Sequence, residues 1–288
     1  MSIKSFFTVD FEDFKYDFLN KRGLETKKSP EGLYQSYISI KDILKEQNGN
    51  KCCTFFCTGN VAKFSPDLIK EISNDGHEIA CHSNEHRDVS KQSDYDFEKD
   101  LENAISHLSK ASKDDIKGYR APMFSLHRDN INKYKILSKY FDYDSSLICK
   151  IEELPNYITK NRIHNLDLIE FPILQKSGFP FNSKMIGGTY LKINSSDAIK
   201  KWFLNDIYSQ YAPMIYMHPY ELLKNKPFWV SFSDLKKFNI FKNTYYQIRQ
   251  NQWHSFNEKN IYKLNKLLKK FPNKGRIKDQ LKIKNRIL

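Results

Sequence analysis

The chain has 288 residues, of which 40% are hydrophobic and 14% aromatic, so it can bury a substantial core and is neither a disordered nor a fibrous protein. We expect one α/β domain over residues 1–255 and a basic helical tail over residues 256–288. The N-terminus shows no secretory signal, and no apolar run approaches the roughly 18 residues of a spanning helix, so we expect a cytoplasmic protein that is soluble or peripheral to a membrane.

Strand-like and helix-like stretches alternate from the first residues onward. Ser5–Asp10 (SFFTVD) is typical of a buried strand, and Cys52–Thr58 and His77–Cys81 predict the next two strands. The apolar spacing of residues 29–46 predicts a helix, and a second helix begins near Pro66.

The alternation continues and weakens after the middle of the chain. Further helices are expected at residues 94–110, 130–140 and 195–208, and further strands at residues 116–120, 143–147, 168–174 and 214–218. Strands that alternate with helices of these lengths indicate βα units around a parallel sheet or barrel.

The five cysteines are odd in number, and four of them lie in apolar, strand-like stretches: Cys52, Cys53, Cys57, Cys81 and Cys149. We therefore expect buried free thiols in a reducing compartment. A metal knuckle formed by the first three is the alternative, but their spacing matches no paired C-x-x-C site.

Metal-binding and catalytic residue types follow the apolar strands where each strand stops, and in parallel α/β architectures such ends build the active site. Asp10, Glu12 and Asp13 follow the first strand; if these carboxylates converge, they require a cation or a shifted pKa. For Glu12 or Asp13, capping of the following helix is the alternative.

His82 and His86 follow the third strand, and their four-residue spacing suits one divalent ion, although alone it would be a common surface pattern.

Two further strand ends carry a guanidinium and an imidazole. Arg120 precedes a rigid Ala121-Pro122 turn and is suited to pair with a carboxylate and tune its basicity. His218 ends the strand at residues 214–218 and is a candidate general acid, because imidazole titrates near neutral pH. A surface arginine and a core histidine are the alternatives.

Taken together, TVDFED (8–13), HSNEH (82–86), YRAP (119–122), YDSS (143–146) and MHPYE (217–221) resemble the motif series of the polysaccharide deacetylase, or NodB homology, family. The resemblance covers roughly residues 3–222. The HPYE ending and GGTY (187–190) resemble a subfamily associated with bacterial exopolysaccharide and surface-glycan loci.

This resemblance implies a distorted (β/α)7-type barrel and hydrolysis of the N-acetyl or another short N-acyl group of an amino sugar. It also implies a divalent metal, commonly zinc, held by one carboxylate and two histidines. His82 and His86 become ligands, Asp10 the general base and His218 the acid, with Arg120 orienting Asp10. The remaining ligand is Asp13 or Glu12, and Asp13 is the one we favour.

Candidate substrate contacts are Tyr119, Pro122, Thr189 and Tyr190. The glycine pair before Thr189 would permit close backbone approach to a sugar, and an ordinary turn is an equal alternative. For Tyr119 and for Phe124, core packing is the alternative that we favour over stacking on the sugar.

The substrate implied is an amino-sugar glycan or a nucleotide- or lipid-linked sugar. A cyclic-amide or small N-acyl hydrolase of the same superfamily and a catalytically idle glycan-binding protein are the alternatives.

The net charge of +13 comes largely from the tail, yet no zinc-knuckle, helix-turn-helix or RNP-like pattern predicts specific nucleic-acid binding. Apolar residues interleave with lysines in the tail, as in a helix that lies on an anionic membrane. These residues are Leu267, Leu268, Ile277, Leu281 and Ile283.

Overall fold

The computed structural model describes residues 3–159, 162–175, 187–204 and 212–281. The strands are β1 (Phe6–Phe11), β2 (Thr54–Cys57), β3 (Glu78–Cys81), β4 (Gly118–Tyr119), β5 (Tyr143–Asp144), β6 (Ile148–Lys150), β7 (Ile158–Thr159), β8 (Arg162–Ile163), β9 (Ile169–Glu170), β10 (Ile173–Gln175) and β11 (Met214–Met217). The helices are α1 (Phe14–Asn20), α2 (Pro30–Lys45), α3 (Gly59–Phe64), α4 (Pro66–Asn74), α5 (Asp94–Ala111), α6 (Ile131–Tyr140), α7 (Gly188–Ile193), α8 (Ser196–Phe203), α9 (Ile240–His254) and α10 (Asn257–Lys270).

Within the described residues the main sheet has nine strands, in the order β11-β1-β2-β3-β4-β5-β9-β8-β7. Every pairing from β11 to β9 is parallel, and only the pairings of β9 with β8 and of β8 with β7 are antiparallel. A second, two-stranded parallel sheet joins β10 to β6. The sheet curls into a half-barrel, and the predicted α/β class is confirmed.

Successive side chains of β1 point to opposite faces of the sheet, and this alternation sends its polar residues inward. Phe7, Val9 and Phe11 join the large core cluster beneath the helices, whereas Phe6 belongs to the smaller cluster on the other face. Asp10 shares the parity of Phe6, so its carboxylate is directed to the inner face of the half-barrel.

The predicted helices around the sheet form with only small shifts of their ends. Residues 29–46 give α2, which has Pro30 at its first turn, where a missing N–H costs no hydrogen bond. α4, α5 and α6 also form at their predicted positions. The helix expected at residues 195–208 is α8, which ends at Phe203; residues 205–208 lie outside the described ranges.

The stretch at residues 168–174 was predicted as one strand, and this is wrong. It contains β9 in the main sheet and β10 in the small sheet, separated by Phe171 and Pro172. Pro172 has no backbone N–H to donate to a neighbouring strand, so the ladder cannot continue through it.

The basic C-terminal region packs into the core of the domain. Leu267 and Leu268 of α10 are 2% and 0% exposed and join the core cluster, and Ile277 is fully buried. The Ile277 N–H donates to Thr54 Oγ1 at 3.0 Å, which ties this segment to β2. The expectation that these apolar residues face a membrane is therefore wrong, because the core already covers them. Leu281 packs partly buried on the smaller core cluster, and Ile283 lies outside the described residues.

The cysteines are free, as expected. Cys53, Cys57, Cys81 and Cys149 are buried, and Cys52 is partly exposed. Burial raises the pKa of Cys53 and of Cys57 well above the ordinary value, so both thiols stay protonated at neutral pH. None of the helices in the described ranges combines the length and the apolar character needed to cross a membrane.

Candidate active site

Four neighbouring parallel strands bring their polar ends to one edge of the half-barrel. Asp10 lies near the end of β1, and His82, Arg120 and His218 directly follow β3, β4 and β11. Because β11, β1, β2, β3 and β4 are consecutive and parallel, their carboxyl ends meet at the same edge. The motifs far apart in sequence are thereby gathered into one site.

Three possible metal ligands converge at this edge. Glu12, His82 and His86 each offer one ligand atom, and these atoms all lie within 4.8 Å of one another. All three residues are buried, and His86 Nε2 contacts Glu12 Oε2 directly. No other group of at least three such histidine, cysteine or acidic ligands occurs in the described part of the chain.

Asp13, the carboxylate favoured from the sequence, is not part of this group. Its Oδ1 accepts the N–H of Tyr16 at 3.1 Å as the N-cap of α1, and its Oδ2 accepts the N–H of Ser29 at 2.5 Å. Both carboxylate oxygens are thus used to hold backbone, and the alternative residue, Glu12, faces the histidines. Strand parity contains the missed signal, because Glu12 directly follows β1 and lies two residues after Asp10, so the alternation of β1 continued by one residue places both on the same side.

The His82 ring is oriented by a backbone carbonyl. Its Nδ1 lies 2.7 Å from the carbonyl oxygen of Arg120, so Nδ1 carries the proton and the lone pair of Nε2 is free. Burial lowers the pKa of His82 to about 4, and burial also lowers the pKa of His86. Both imidazoles are therefore neutral near pH 7, which is the form that binds metals.

A lysine contacts the second histidine from the other side. Lys21 Nζ lies 2.6 Å from His86 Nδ1. An ammonium group has only donors, so in this arrangement Nδ1 accepts and Nε2 carries the proton. Sequence reasoning missed Lys21, because nothing in its surroundings distinguishes it from the other surface lysines.

Asp10 is held by a buried arginine. Arg120 Nη1 lies 2.6 Å from Asp10 Oδ1 and also donates to Thr8 Oγ1 at 3.0 Å. Arg120 Nη2 donates to Ser145 Oγ at 2.9 Å, and the guanidinium carbon lies 3.9 Å from the Phe56 ring centroid. Burial alone would raise the pKa of Asp10, but Arg120, with smaller contributions from His82 and His218, outweighs burial and lowers the pKa below the ordinary value. Asp10 is therefore ionised and fixed in orientation.

His218 is held by a glutamate three residues later. Its Nδ1 lies 2.9 Å from Glu221 Oε2, which also accepts the His218 backbone N–H at 3.0 Å. The opposite nitrogen, Nε2, points to Asp10 and lies 4.0 Å from its Oδ2. Burial would lower the pKa of His218, but Glu221, with smaller contributions from Glu12 and Asp10, outweighs burial and raises the pKa to about 9. Glu221 is a site residue that the sequence interpretation quoted in its motif and gave no role.

The GGTY segment supports this pair. Gly187 forms a bridge with Tyr216 of β11, and Gly188 begins α7 with φ +50°. A Cβ on Gly187 would lie 2.0 Å from a Tyr216 ring carbon, and one on Gly188 would lie 2.9 Å from Glu221 Oε1. The close backbone approach predicted for these glycines is made to the strand of His218, and the segment is the start of a helix.

A cavity of about 330 Å³ opens directly over the site. Its wall is formed by Glu12, Phe14, Asp17, Phe18, Lys21, Arg22, His86, Met123, His218, Tyr220 and Trp253. The Phe14 ring centroid lies 5.0 Å from that of Tyr220 and 5.4 Å from that of Trp253, so three aromatic rings form one side. The cavity joins an aromatic wall to a polar floor.

Of the predicted substrate contacts, Tyr119, Pro122 and Tyr190 are not among the described residues that line this cavity. Tyr119 is fully buried between Phe97 and Phe141, so core packing, the alternative we favoured, is its role. Pro122 is buried in a short turn, and Phe124 packs on Tyr216 at 5.1 Å. Tyr190 lines a neighbouring cleft, and the backbone of Thr189 lies in α7.

Comparison with known proteins finds similarity over part of the chain. The polysaccharide deacetylase family model matches residues 31–138, which include His82, His86 and Arg120. An uncharacterised 30.6 kDa protein of Geobacillus stearothermophilus is 36% identical over 72 residues, which is 25% of this chain and 26% of that protein. The match thus spans about a quarter of this curated relative.

Two solved structures are similar to the chain at low sequence identity. A crystal structure described as a polysaccharide deacetylase of Mycobacterium smegmatis is 21% identical, with a TM-score of 0.51 over 81% of this chain and 82% of that one. A family 4 carbohydrate esterase from Streptomyces lividans, in complex with acetate, is 13% identical, with a TM-score of 0.47 over 92% of this chain and 88% of that one. The first likeness confirms the barrel fold, and the family model matches fewer than half of the 288 residues.

Proposed function

We propose that this chain is a polysaccharide deacetylase, a metal-dependent hydrolase that removes an acetyl or another short acyl group from an amino sugar. We further propose that the sugar belongs to a bacterial surface glycan or its precursor and that the metal is zinc. The observation that carries the proposal is the convergence of Glu12, His82 and His86 within 4.8 Å, beside Asp10.

The donor set fits a divalent ion of the zinc type. Two neutral imidazoles and one carboxylate form a common protein environment of catalytic zinc, which leaves a position for water or substrate. His82 has its Nδ1 engaged by a carbonyl and its Nε2 free, as expected of a ligand histidine. A bound ion would polarise the amide carbonyl and lower the pKa of a water molecule.

Asp10 is suited to accept the proton of the attacking water. Its pKa is lowered by Arg120 in spite of burial, so it is ionised over the whole neutral range. The Arg120 guanidinium occupies Oδ1 at 2.6 Å and leaves Oδ2 as the oxygen that faces the site. Arg120 is not among the described residues that line the cavity and acts through Asp10, as a positioning residue.

His218 is suited to donate a proton to the leaving amine. Glu221 raises the pKa of His218 to about 9, so the imidazolium form predominates near pH 7. Because Nδ1 is engaged with Glu221, Nε2 is the nitrogen that presents its proton to the site. Two groups whose pKa values are moved apart in this way provide one base and one acid at the same pH.

The cavity suits a single sugar ring. Its volume of about 330 Å³ is at the small end of ligand sites, and aromatic side chains form one wall. Phe14, Tyr220 and Trp253 would contact the apolar face of a pyranose, and Glu12 and His218 line the same cavity.

The test is release of acetate from N-acetylated amino sugars by the purified protein. Activity should disappear with a chelator and return with zinc, and Asp10→Asn should reduce kcat at least about a hundredfold. The conservative control is Asp234→Asn, which changes a partly buried ion pair with Lys15 outside the cavity wall. Activity on cyclic amides that survives the chelator would favour the metal-independent alternative instead.

A further inference from the structure

Helix α9 presents apolar side chains to solvent. Phe241 is 84% exposed, and Tyr245 and Ile248 are each 57% exposed. These three residues are spaced by four and three positions, so they lie along one line on the helix surface. A helix of a soluble protein ordinarily buries such an apolar line against the core, whereas α9 exposes it to solvent.

Polar side chains on the inner face fix this orientation. Asn243 Nδ2 donates to the Phe232 carbonyl at 3.0 Å. Gln250 donates to the Val230 carbonyl at 2.6 Å and accepts the Val230 N–H at 2.9 Å. Rotation of the apolar line toward the core would break these buried hydrogen bonds, so its exposure is built into the fold.

The exposed line continues onto neighbouring elements. Ile193 at the end of α7 is 73% exposed, Phe256 after α9 is 74% exposed, and both line one cleft of about 890 Å³ together with Ile248. We name this surface the α9 face; its residues are Ile193, Phe241, Tyr245, Ile248 and Phe256. Contiguous exposed apolar patches of this kind mark interaction sites.

The charge around the α9 face has one sign. Residues 235–257 contain Lys236, Lys237, Lys242 and Arg249 and no acidic residue. The acidic residues at the two ends of this stretch are already paired, Asp234 with Lys15 at 3.0 Å and Glu258 with Lys224 at 3.2 Å. The surface therefore offers apolar side chains flanked by unopposed cations.

We propose that the α9 face docks on the surface of an anionic lipid bilayer. Phe241, Tyr245 and Ile248 enter the headgroup region, and the flanking lysines and Arg249 contact anionic headgroups. Aromatic and aliphatic residues on one face with basic residues beside them are the pattern of helices that lie in a membrane interface.

Charge also argues against a second copy of this chain as the occupant. A two-fold contact sets the same patch against itself, so the lysines of one copy would lie close to those of the other. An anionic surface neutralises these cations. The docked face adjoins the catalytic cavity, since Trp253 lines both that cavity and the cleft beside Ile248.

Vesicle sedimentation of the full chain tests the proposal without reference to catalysis. Binding to vesicles of phosphatidylcholine with phosphatidylglycerol should be at least about tenfold tighter than to phosphatidylcholine alone. Replacing Phe241, Tyr245 and Ile248 together by serine should weaken binding about tenfold or more. The matched control is Tyr95→Ser, because Tyr95 is 75% exposed on α5, outside the α9 face.

A second variant covers the case in which the triple serine variant fails to fold. Replacing Lys236, Lys237 and Lys242 together by glutamine removes charge alone and should also weaken binding to anionic vesicles, while Lys99→Gln on α5 should not. Equal binding to both vesicle types, or unchanged binding of the variants, would overturn the proposal. So would a wild-type protein that ignores vesicles and changes from dimer to monomer when the α9 face is altered.

Discussion

His218 and Glu221 form a close pair within a single turn, with Nδ1 of the imidazole 2.9 Å from Oε2 of the carboxylate. The same oxygen accepts the backbone N–H of His218 at 3.0 Å, so the glutamate fixes both the ring and the backbone that carries it. The pair links the end of β11 to the short turn that follows and directs Nε2 toward Asp10.

Glu221→Gln should remove the charge that keeps His218 protonated. The folded pKa of His218 is about 9, above the ordinary value of 6.5, so the pair stabilises the fold fully below about pH 6.5 and loses this effect as pH rises through 9. Activity that needs the imidazolium should fall as pH rises through the same range in the wild type. In the variant this fall should occur about one pH unit or more lower. The pH dependence of kcat/KM measures this shift. Glu258→Gln is the control, and an unmoved alkaline limb would show that Glu221 does not set the His218 pKa.

Lys21→Met should strengthen zinc binding. The Lys21 ammonium lies 2.6 Å from His86 Nδ1, where it adds a positive charge and favours the ring form whose proton is on Nε2. To bind a metal ion through Nε2, the His86 ring must carry its proton on Nδ1 instead. That N–H would then face the Lys21 ammonium, which has no lone pair to accept it. We expect a gain of about tenfold in affinity, roughly 1.4 kcal/mol, by competition with a fluorescent chelator. Lys15→Met in α1 serves as the control, and weaker or equal zinc binding by Lys21→Met would contradict the interpretation.

Tyr119→Phe should leave activity unchanged and raise stability by about 1 kcal/mol. The Tyr119 hydroxyl is buried and has no hydrogen-bond partner among the described residues, so its removal relieves a desolvation cost. Tyr143→Phe is the contrasting variant, because the Tyr143 hydroxyl donates to Glu78 at 2.9 Å and its loss should cost about 1–3 kcal/mol. Urea unfolding measures both, and a several-fold rise in KM for Tyr119→Phe would restore its role as a substrate contact.

Leu268→Ala should destabilise the whole domain. Leu268 of α10 is fully buried in the main core, so the substitution should cost about 2–5 kcal/mol. Lys269→Ala, one residue later at an exposed position, should change the free energy of unfolding by less than about 0.5 kcal/mol. If Leu268→Ala left the unfolding midpoint of the domain unmoved, the C-terminal region would be a separate tail after all.

The positions of the main site residues followed from strand ends, because parallel neighbours place their carboxyl termini at one edge. That rule located Asp10, His82, Arg120 and His218. Whether Glu12 or Asp13 is the metal ligand depends on strand parity and on the capping of α1. The motif alone does not distinguish the two carboxylates. The role of Glu221 depends on a turn geometry that only coordinates reveal.

The sequence interpretation failed where tertiary contacts decide which side of a helix is buried. Leucines among lysines in α10 predict an amphipathic helix, but the pattern alone cannot tell whether a core or a membrane covers the apolar side. α9 shows the converse case, with Gln250 directed inward to backbone partners and Phe241 outward. Hydrophobic periodicity predicts which residues form an apolar line on a helix. It does not predict whether that line faces the core or the solvent.

Metal content of the purified protein is the measurement that tests the central claim most directly. Elemental analysis should find about one zinc ion per chain in the wild type and in Asp13→Asn, and essentially none in Glu12→Ala or His82→Ala. Retention of the ion by Glu12→Ala together with its loss from Asp13→Asn, or wild-type protein that binds no divalent metal at all, would contradict the account.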